Sequence, residues 1–501
     1  MKQLKLTFIL MLAFAMTMQA QNRRYFDEVF ADVEVTSSVE YGVNATVLLL
    51  PVLGQAVPQI LEMDVYEPMG DTETDRPLVI IMHSGNFLPP SVNGGCTGTI
   101  DDADNVALAT ALAKRGYVVA VADYRLGWNP VASLQEERVF TLINAAYRGV
   151  QDSRTCVRYF RSNVAAGNTF GIDPEKITLC GFGTGGYIAA ASASLDTITD
   201  TYIPKFLTVN GPMVIEPAVG NVDGTSVGIA FQGYPHPVLG DTLCYPNHVG
   251  VSSDFALAMN LGGALGDKSW LDAGDIPIIS FHAFNDPFAP CGTGIVNVPP
   301  PVDLPVVEVD GSCTFQPVVN SLGLNDVFVN ANFQDDVTAY AAAHNGGIEG
   351  FYPIYGDDSS PWAFASSAEP YGVSGSDCDV SSSVSDNFRD TILSYFLPRA
   401  CALFGLNADC ALTTGLEKFT SIEVGMTASP NPATDAFVLK TDKRFVMNRV
   451  ELVDMTGRVV RELNAVNSST TTVETQGLDA GIYFARVYFK EGIATQKVVL
   501  H

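Results

Sequence analysis

Apolar positions along this chain fall into short runs set between longer mixed stretches. Ile60 to Tyr66 alternates apolar and polar positions and stops at Glu67-Pro68, so Val33 to Pro68 reads as early antiparallel strands. Leu78–Met82 is a continuous apolar run, as expected of a strand buried on both faces, and Tyr117–Ala122, Ile177–Cys180, Phe206–Val209, Ile276–Phe281 and Gly350–Tyr355 read as further short strands. Asp101–Lys114, Leu134–Val164 and Asn387–Phe404 carry helical patterns. Strands alternating with helices predict an α/β fold, a doubly wound, mostly parallel sheet. Two irregular insertions, near 211–275 and 291–330, follow strand ends, where such folds build ligand sites.

Near Leu412 the pattern changes. Residues 412–425 read as a linker, and 426–501 as a small all-β sandwich. Its expected strands are Asn448–Val453, Arg458–Leu463, Gly481–Phe489 and Thr495–Leu500, with turns at Pro430-Asn431-Pro432 and Met455-Thr456-Gly457. At the other end, Lys2 and Lys5 precede the apolar stretch Leu6–Met16 and the small-residue exit Met18-Gln19-Ala20. That is the pattern of a signal peptide over 1–20, with the mature chain starting at Gln21. No later run reaches the roughly 18 apolar residues of a membrane helix, so no transmembrane helix is expected.

Charge narrows the partners. The net charge is −27, and from Met426 onward nine Lys/Arg face eight Asp/Glu, so the acidity lies before that point. Such a surface repels phosphate backbones and excludes nucleic acid as a partner. Nine cysteines in an exported chain predict disulfides with at least one thiol left over. Cys401 with Cys410 and Cys291 with Cys313 are the expected pairs, Cys156 and Cys180 are expected to be buried thiols, and pairing is open for Cys96, Cys244 and Cys378. No metal-ligand spacing appears, and no cofactor is expected. Asp101, Asp102 and Asp104 do not have the spacing of a calcium loop and are read as helix capping.

The chemistry centres on Lys176–Ala191, KITLCGFGTGGYIAAA. Strand, glycine-rich turn and helix make a nucleophile elbow, in which the serine of G-x-S-x-G projects from a strained turn. The frame here is Gly181-Phe182-Gly183-Thr184-Gly185, and Gly183 occupies the nucleophile's position. Glycine accepts a positive φ without penalty, so it suits the turn while removing the side chain. Thr184 is expected to offer its N–H, with its side chain turned elsewhere. Gly224-Thr225-Ser226-Val227-Gly228 also spells G-x-S-x-G, but no strand precedes it and no helix follows, so Ser226 is the runner-up nucleophile only.

Residues from about 45 to 405 resemble the esterase/lipase branch of the α/β-hydrolases. The resemblance rests on Asp64-Val65-Tyr66-Glu67-Pro68, the His83 loop, Gly116-Tyr117-Val118-Val119, Asp123-Tyr124-Arg125-Leu126-Gly127, and Gly171-Ile172-Asp173-Pro174 before the elbow. It implies a serine attacking an ester carbonyl, a histidine taking its proton and a carboxylate orienting that histidine. Asp286 holds the acid position. Ser359, in Gly356-Asp357-Asp358-Ser359 before Pro361-Trp362, stands where the family carries its histidine. The oxyanion loop, His-Gly-Gly in the family, is His83-Ser84-Gly85. Among the other histidines, His282 is expected to be structural, as is His83; His344 lies just before the last strand, and His236 and His248 lie in the first insertion.

A second resemblance covers about Ser429 to the end. Pro430-Asn431-Pro432, Gly457-Arg458, Leu478-Asp479-Ala480-Gly481-Ile482-Tyr483 and Lys497-Val498-Val499-Leu500 look like a type A sorting domain of type IX secretion. It implies export through the periplasm, 426–501 as the part that meets the secretion machinery, and a protein released or attached to the cell surface.

The expected function is a surface or secreted protein with a hydrolase scaffold and a degenerate catalytic site, binding an ester, glycan or peptide. Loss of the serine alone costs roughly 10⁶ in turnover in a well-studied serine hydrolase. Two alternatives are an active carboxylic-ester hydrolase with a relocated nucleophile, and a structural or adhesive surface protein.

Overall fold

The computed structural model describes residues 23–93, 95–298, 302–355, 360–363, 382–406, 410, 417–454, 459–463, 466–489 and 492–501. Residues 1–20, expected to be a signal peptide, Cys378, the start of the expected linker, the expected Met455-Thr456-Gly457 turn and Ser359 lie outside them. The chain divides into two compact units, Met1–Asn330 with Asp335–Leu412, and Ala331–Gln334 with Thr413–His501.

The larger unit is built on one eight-stranded sheet: β1 Val33–Thr46, β2 Val57–Pro68, β3 Arg76–Met82, β4 Val118–Ala122, β5 Ile172–Phe182, β6 Leu257–Leu261, β7 Ile278–Ala283 and β8 Phe351–Ile354. Across the sheet the order is β1-β2-β4-β3-β5-β6-β7-β8. β1, β2 and β4 pair antiparallel, and every pair from β4 onward is parallel. The apolar runs explain which strands are central. β3, β4, β6 and β7 are buried at every position, because helices cover both faces. β1, which alternates, keeps most of its first half in solvent.

Helix α1 is Ala103–Ala113, α2 Gln135–Ala165, α3 Thr184–Ser192, α4 Ser312–Ser321, α5 Asp326–Ala331, α6 Asp336–Asn345 and α7 Ser382–Leu403. α2 is tied to the loop after β4 by a buried ion pair between Arg125 and Asp152 at 2.8 Å. Arg125 Nη2 also donates to Gln151 Oε1. A buried charge is tolerated when paired and hydrogen-bonded in this way. Asp102 stands at the N-cap of α1, but its carboxylate accepts from the backbone N–H groups of Gly98 and Thr99, tying down the preceding turn rather than capping the helix.

Three expectations are corrected. Phe206–Val209 does not enter the main sheet: Pro204–Phe206 is a single 3₁₀ turn, and Leu207–Thr208 pairs only with Gly211–Pro212. The strand after the elbow is β6, which lies inside the stretch read as an irregular insertion. Within the second insertion, Thr293–Asn297 and Pro305–Asp310 form an antiparallel hairpin, stapled at its base by the Cys291–Cys313 disulfide. Cys401–Cys410 is also bonded, and Cys156, Cys180 and Cys244 are buried free thiols.

The smaller unit is a two-sheet sandwich. Its five-stranded sheet runs 417–419, 492–500, 481–488, 449–453, 459–463. A three-stranded sheet of Thr427–Ser429, Ala436–Lys440 and Thr470–Glu474, absent from the sequence-based expectation, covers it. Phe437, Leu439, Val450, Leu452, Val473 and Val487 form the shared core.

Candidate functional site

β5 delivers the chain into the elbow at Gly183, whose φ of 50° and ψ of −112° lie in a region that strains any residue with a side chain. The turn is held by packing. Gly183 N–H donates to Leu261 O on β6 at 2.7 Å. Gly185 lies so close to Met82 O on β3 that a Cβ there would overlap it. The elbow therefore keeps its strained backbone although the residue at its apex carries no reactive group.

The space above that apex is occupied from the opposite wall. A Cβ built on Gly183 would overlap Ser84 Oγ, which comes from the loop after β3. That loop is firmly fixed. His83 is buried and stacks on Tyr124 with ring centroids 4.4 Å apart. Its Nδ1 donates to Ser84 O at 2.5 Å and its Nε2 faces Asp123 Oδ1 at 3.2 Å. Burial pulls the His83 pKa down, but the hydrogen bond to Asp123 and the charges of Asp123 and Asp102 more than offset this, and the net shift is upward. Both ring nitrogens thus face acceptors, the arrangement of an imidazolium. The buried Tyr124 hydroxyl donates to His83 O at 3.0 Å and meets Thr184 Oγ1 at 3.1 Å. The Thr184 side chain is held by that hydroxyl, and its N–H opens α3, where a helix has no internal acceptor for it.

At the end of β7, Asp286 is buried and its Oδ1 accepts from the N–H groups of Phe288 and Ala289, both at 2.8 Å. His282, on β7 itself, is fully enclosed. Its Nε2–H donates to Ala289 O at 2.7 Å and its Nδ1 accepts from Ser312 Oγ at 2.9 Å. Burial lowers its pKa to about 4, so it is neutral. It is a structural histidine.

These strand ends border a cavity of about 440 Å³. Ser84, Gly85, Gly183, Thr184 and Asp286 line one part of it, and Trp128, Leu142, Ile143, Phe206 and Trp270 make apolar walls. The Thr293–Asp310 hairpin adds Val296, Val307 and Val309. This roof and the aromatic walls had no signal beyond "insertion after a strand end".

All six histidines of the chain fall within the described residues, and none lines the cavity. His236 pairs with Asp241 at 2.6 Å, His248 Nε2 lies 2.8 Å from Tyr41 O, and His344 stacks on Tyr340 in solvent. Ser226 does not line the cavity either. Its Oγ accepts from Asn221 N–H at 2.8 Å and closes a turn. Ser359, expected at the base position, is among the residues not described; Ser360, Pro361 and Ala363 just after it line the cavity.

Residues 63–211 match the BD-FAE family, and residues 428–501 match the secretion system C-terminal sorting domain family. No curated protein matches the chain. Among solved structures, an esterase from the Planctomycetes species Thermogutta terrifontis is 15% identical, with 76% of this chain and 96% of that one covered and a TM-score of 0.37. The apo form of Thermogutta terrifontis esterase 2 is 14% identical over 75% of this chain and 97% of that one, with a TM-score of 0.37. The same esterase phosphorylated by paraoxon is 14% identical over 73% and 95%, with a TM-score of 0.35. No helix among the described residues is long and apolar enough to cross a membrane. The chain joins an esterase-like α/β-hydrolase domain to a C-terminal sorting domain of type IX secretion, which directs it to the cell surface or beyond.

Proposed function

We propose that this exported protein uses its hydrolase-like cavity to bind an apolar ligand without cleaving it. One observation carries the reading: the nucleophile's space is filled by Ser84 Oγ from the facing loop, opposite a glycine. A serine is a weak nucleophile unless a base takes its proton. No histidine lines the cavity to do so. What remains is a set of groups that bind: the Thr184 N–H at the start of α3, the Ser84 hydroxyl, and the apolar walls.

The location of Ser84 also favours a second reading, in which its hydroxyl acts as a displaced nucleophile of an active carboxylic-ester hydrolase. A single experiment separates the two. The full chain is assayed on a short-chain nitrophenyl ester beside Ser84→Ala and the triple variant Gly183→Ser, Ser84→Gly, Ser359→His. Binding without chemistry predicts an inert wild type and a triple variant that gains at least about 10³-fold over background, since a serine and its base are worth far more than that in such sites. Wild-type turnover abolished by Ser84→Ala would establish the second reading instead.

A further inference from the structure

Two helices each turn one face to the cavity. On α3 the lining residues are Thr184, Tyr187 and Ala191, followed by Leu195 just past its end; on α2 they include Leu142, Ala146 and Val150. Both sets have the three- and four-residue spacing of a single helix face. The two helices lie side by side and run the same way. A Cβ built on Gly149 would overlap Ile188, and one turn further along both helices the Ser153 and Ser192 hydroxyls meet at 2.9 Å. Arg154 Nη2 locks that end by donating to Ser192 O at 3.0 Å and to Leu195 O at 2.6 Å. The cavity is therefore a trough along α3, and the hairpin valines Val296, Val307 and Val309 form another of its walls.

The two ends of the trough differ. The Thr184 N–H, the Ser84 hydroxyl and the Asp286 carboxylate stand at the elbow end. Toward the other end the polar groups are taken up by the fold: Thr201 Oγ1 donates to Ile198 O at 2.6 Å, Trp270 Nε1–H to Asp200 O at 2.9 Å and the Tyr147 hydroxyl to Gly220 O at 3.1 Å. Phe206 and Trp270, 2% and 4% exposed, close that end with ring centroids 6.2 Å apart. Among the described residues that line the cavity, Asp286 is the only charged one, so an anionic group would meet a carboxylate and no cation. From Thr184 to Ala191 the helix rises about 10 Å. An extended alkyl chain advances about 1.25 Å per carbon, so the trough matches about eight carbons. We infer that the cavity takes a neutral straight-chain amphiphile, its oxygen at the Thr184 N–H and the Ser84 hydroxyl and its chain laid between α2 and α3 toward Phe206 and Trp270. Ala146 and Ala191, the small residues of the two faces, set how far the chain runs. This inference rests on the binding reading above and gives the ligand a shape and a charge.

The test uses the full chain and the 1-alkanols from butanol to decanol, with cyclooctanol and octanoate as the compact and the anionic counterparts of 1-octanol. Binding is followed by tryptophan fluorescence, since Trp128 and Trp270 both line the cavity. Affinity is expected to rise roughly fourfold for each added methylene and to level off near octanol. Octanol should bind at least about tenfold more tightly than octanoate, and several-fold more tightly than cyclooctanol, which cannot reach the far end. Ala191→Leu should move the levelling-off to a chain shorter by two carbons or more. Ala146→Leu, at a half-buried position on the facing helix, should do the same and serves if the first variant fails to fold. Cyclooctanol or octanoate binding as tightly as octanol overturns the inference and leaves the binding reading intact. So does an affinity that rises unbroken to decanol, or a break that neither variant moves. Binding of no probe counts against both readings. Failure of the binding reading alone shows elsewhere, as ester turnover by wild type.

Discussion

The ends of β5 and β7 border the same cavity and have fared differently. At β5 the elbow turns on a glycine: Gly183 has φ 50° and ψ −112° and no side chain to project. At β7 the side chain is intact: Asp286 is buried and accepts two backbone N–H groups. The difference separates what chemistry needs from what packing needs. The elbow's geometry is fixed by contacts of the turn with β3 and β6, through Gly185 against Met82 O and Gly183 N–H to Leu261 O, so it needs no side chain at its apex. Asp286 has structural work of its own in holding the turn at Phe288 and Ala289.

The comparison breaks most sharply at Gly183. A lone Gly183→Ser places a Cβ against Ser84 Oγ, and the His83 and Tyr124 hydrogen bonds hold the Ser84 loop where it is. Overpacking of this kind, on a backbone already strained for a side chain, is expected to cost about 3 kcal/mol. Adding Ser84→Gly removes the clash and should recover about half of that, leaving the φ strain. Chemical denaturation of the two variants reads the coupling directly. If the single and double variants lose the same stability, Ser84 does not occupy the elbow's space in solution.

A second effect of similar size belongs to β7. His282 has a folded pKa of about 4 against an ordinary value near 6.5, so the folded state binds fewer protons than the unfolded state between those values. Stability therefore rises with pH across that window and is fully present above about 6.5; as pH falls toward 4, up to about 3 kcal/mol is lost. His282→Gln, which keeps a donor for Ala289 O and an acceptor for Ser312, should flatten that part of the pH–stability curve. An unchanged slope in the variant would mean that other groups carry the acid sensitivity.

How much of this was legible in the sequence follows the same division between local and spatial information. The elbow and the glycine at its apex could be read because they are contiguous in the chain, and the parallel sheet because its strands alternate with helices along it. β6 could not: Leu257–Leu261 is five residues long with Asn260 in its middle. That Asn260 is tolerated at full burial only because its side chain accepts from Gly263 N–H and donates to Gly263 O. Phe206–Val209 misled for the opposite reason, being apolar in composition while Val209 is 97% exposed. The second sheet of the sandwich was hidden by polar strands such as Thr470–Glu474, of which only Val473 faces the core fully. Ser84 showed as a change in the oxyanion loop, but its reach into the space over Gly183 depends on β3 and β5 lying side by side.

The smallest effect tests the structural role given to Asp286. Asp286→Ala removes the acceptor of two backbone N–H groups, one of them buried, and should cost about 1–3 kcal/mol; Asp286→Asn keeps an Oδ1 in the same position and should recover most of it. Neutral and charged acceptors differ by a factor of about two in strength, so the amide need not restore everything. The ordering of the variants, wild type above Asn above Ala in denaturant midpoint, is what a turn-holding role requires. If Ala is as stable as wild type, the carboxylate is idle in the fold. Its presence beside the cavity then has to be explained by ligand or by chemistry, and the contrast between β5 and β7 collapses. A stable Ala variant would also strengthen the case for Ser84 as an active hydroxyl, because an acid with no structural duty is what an operating hydrolase would keep.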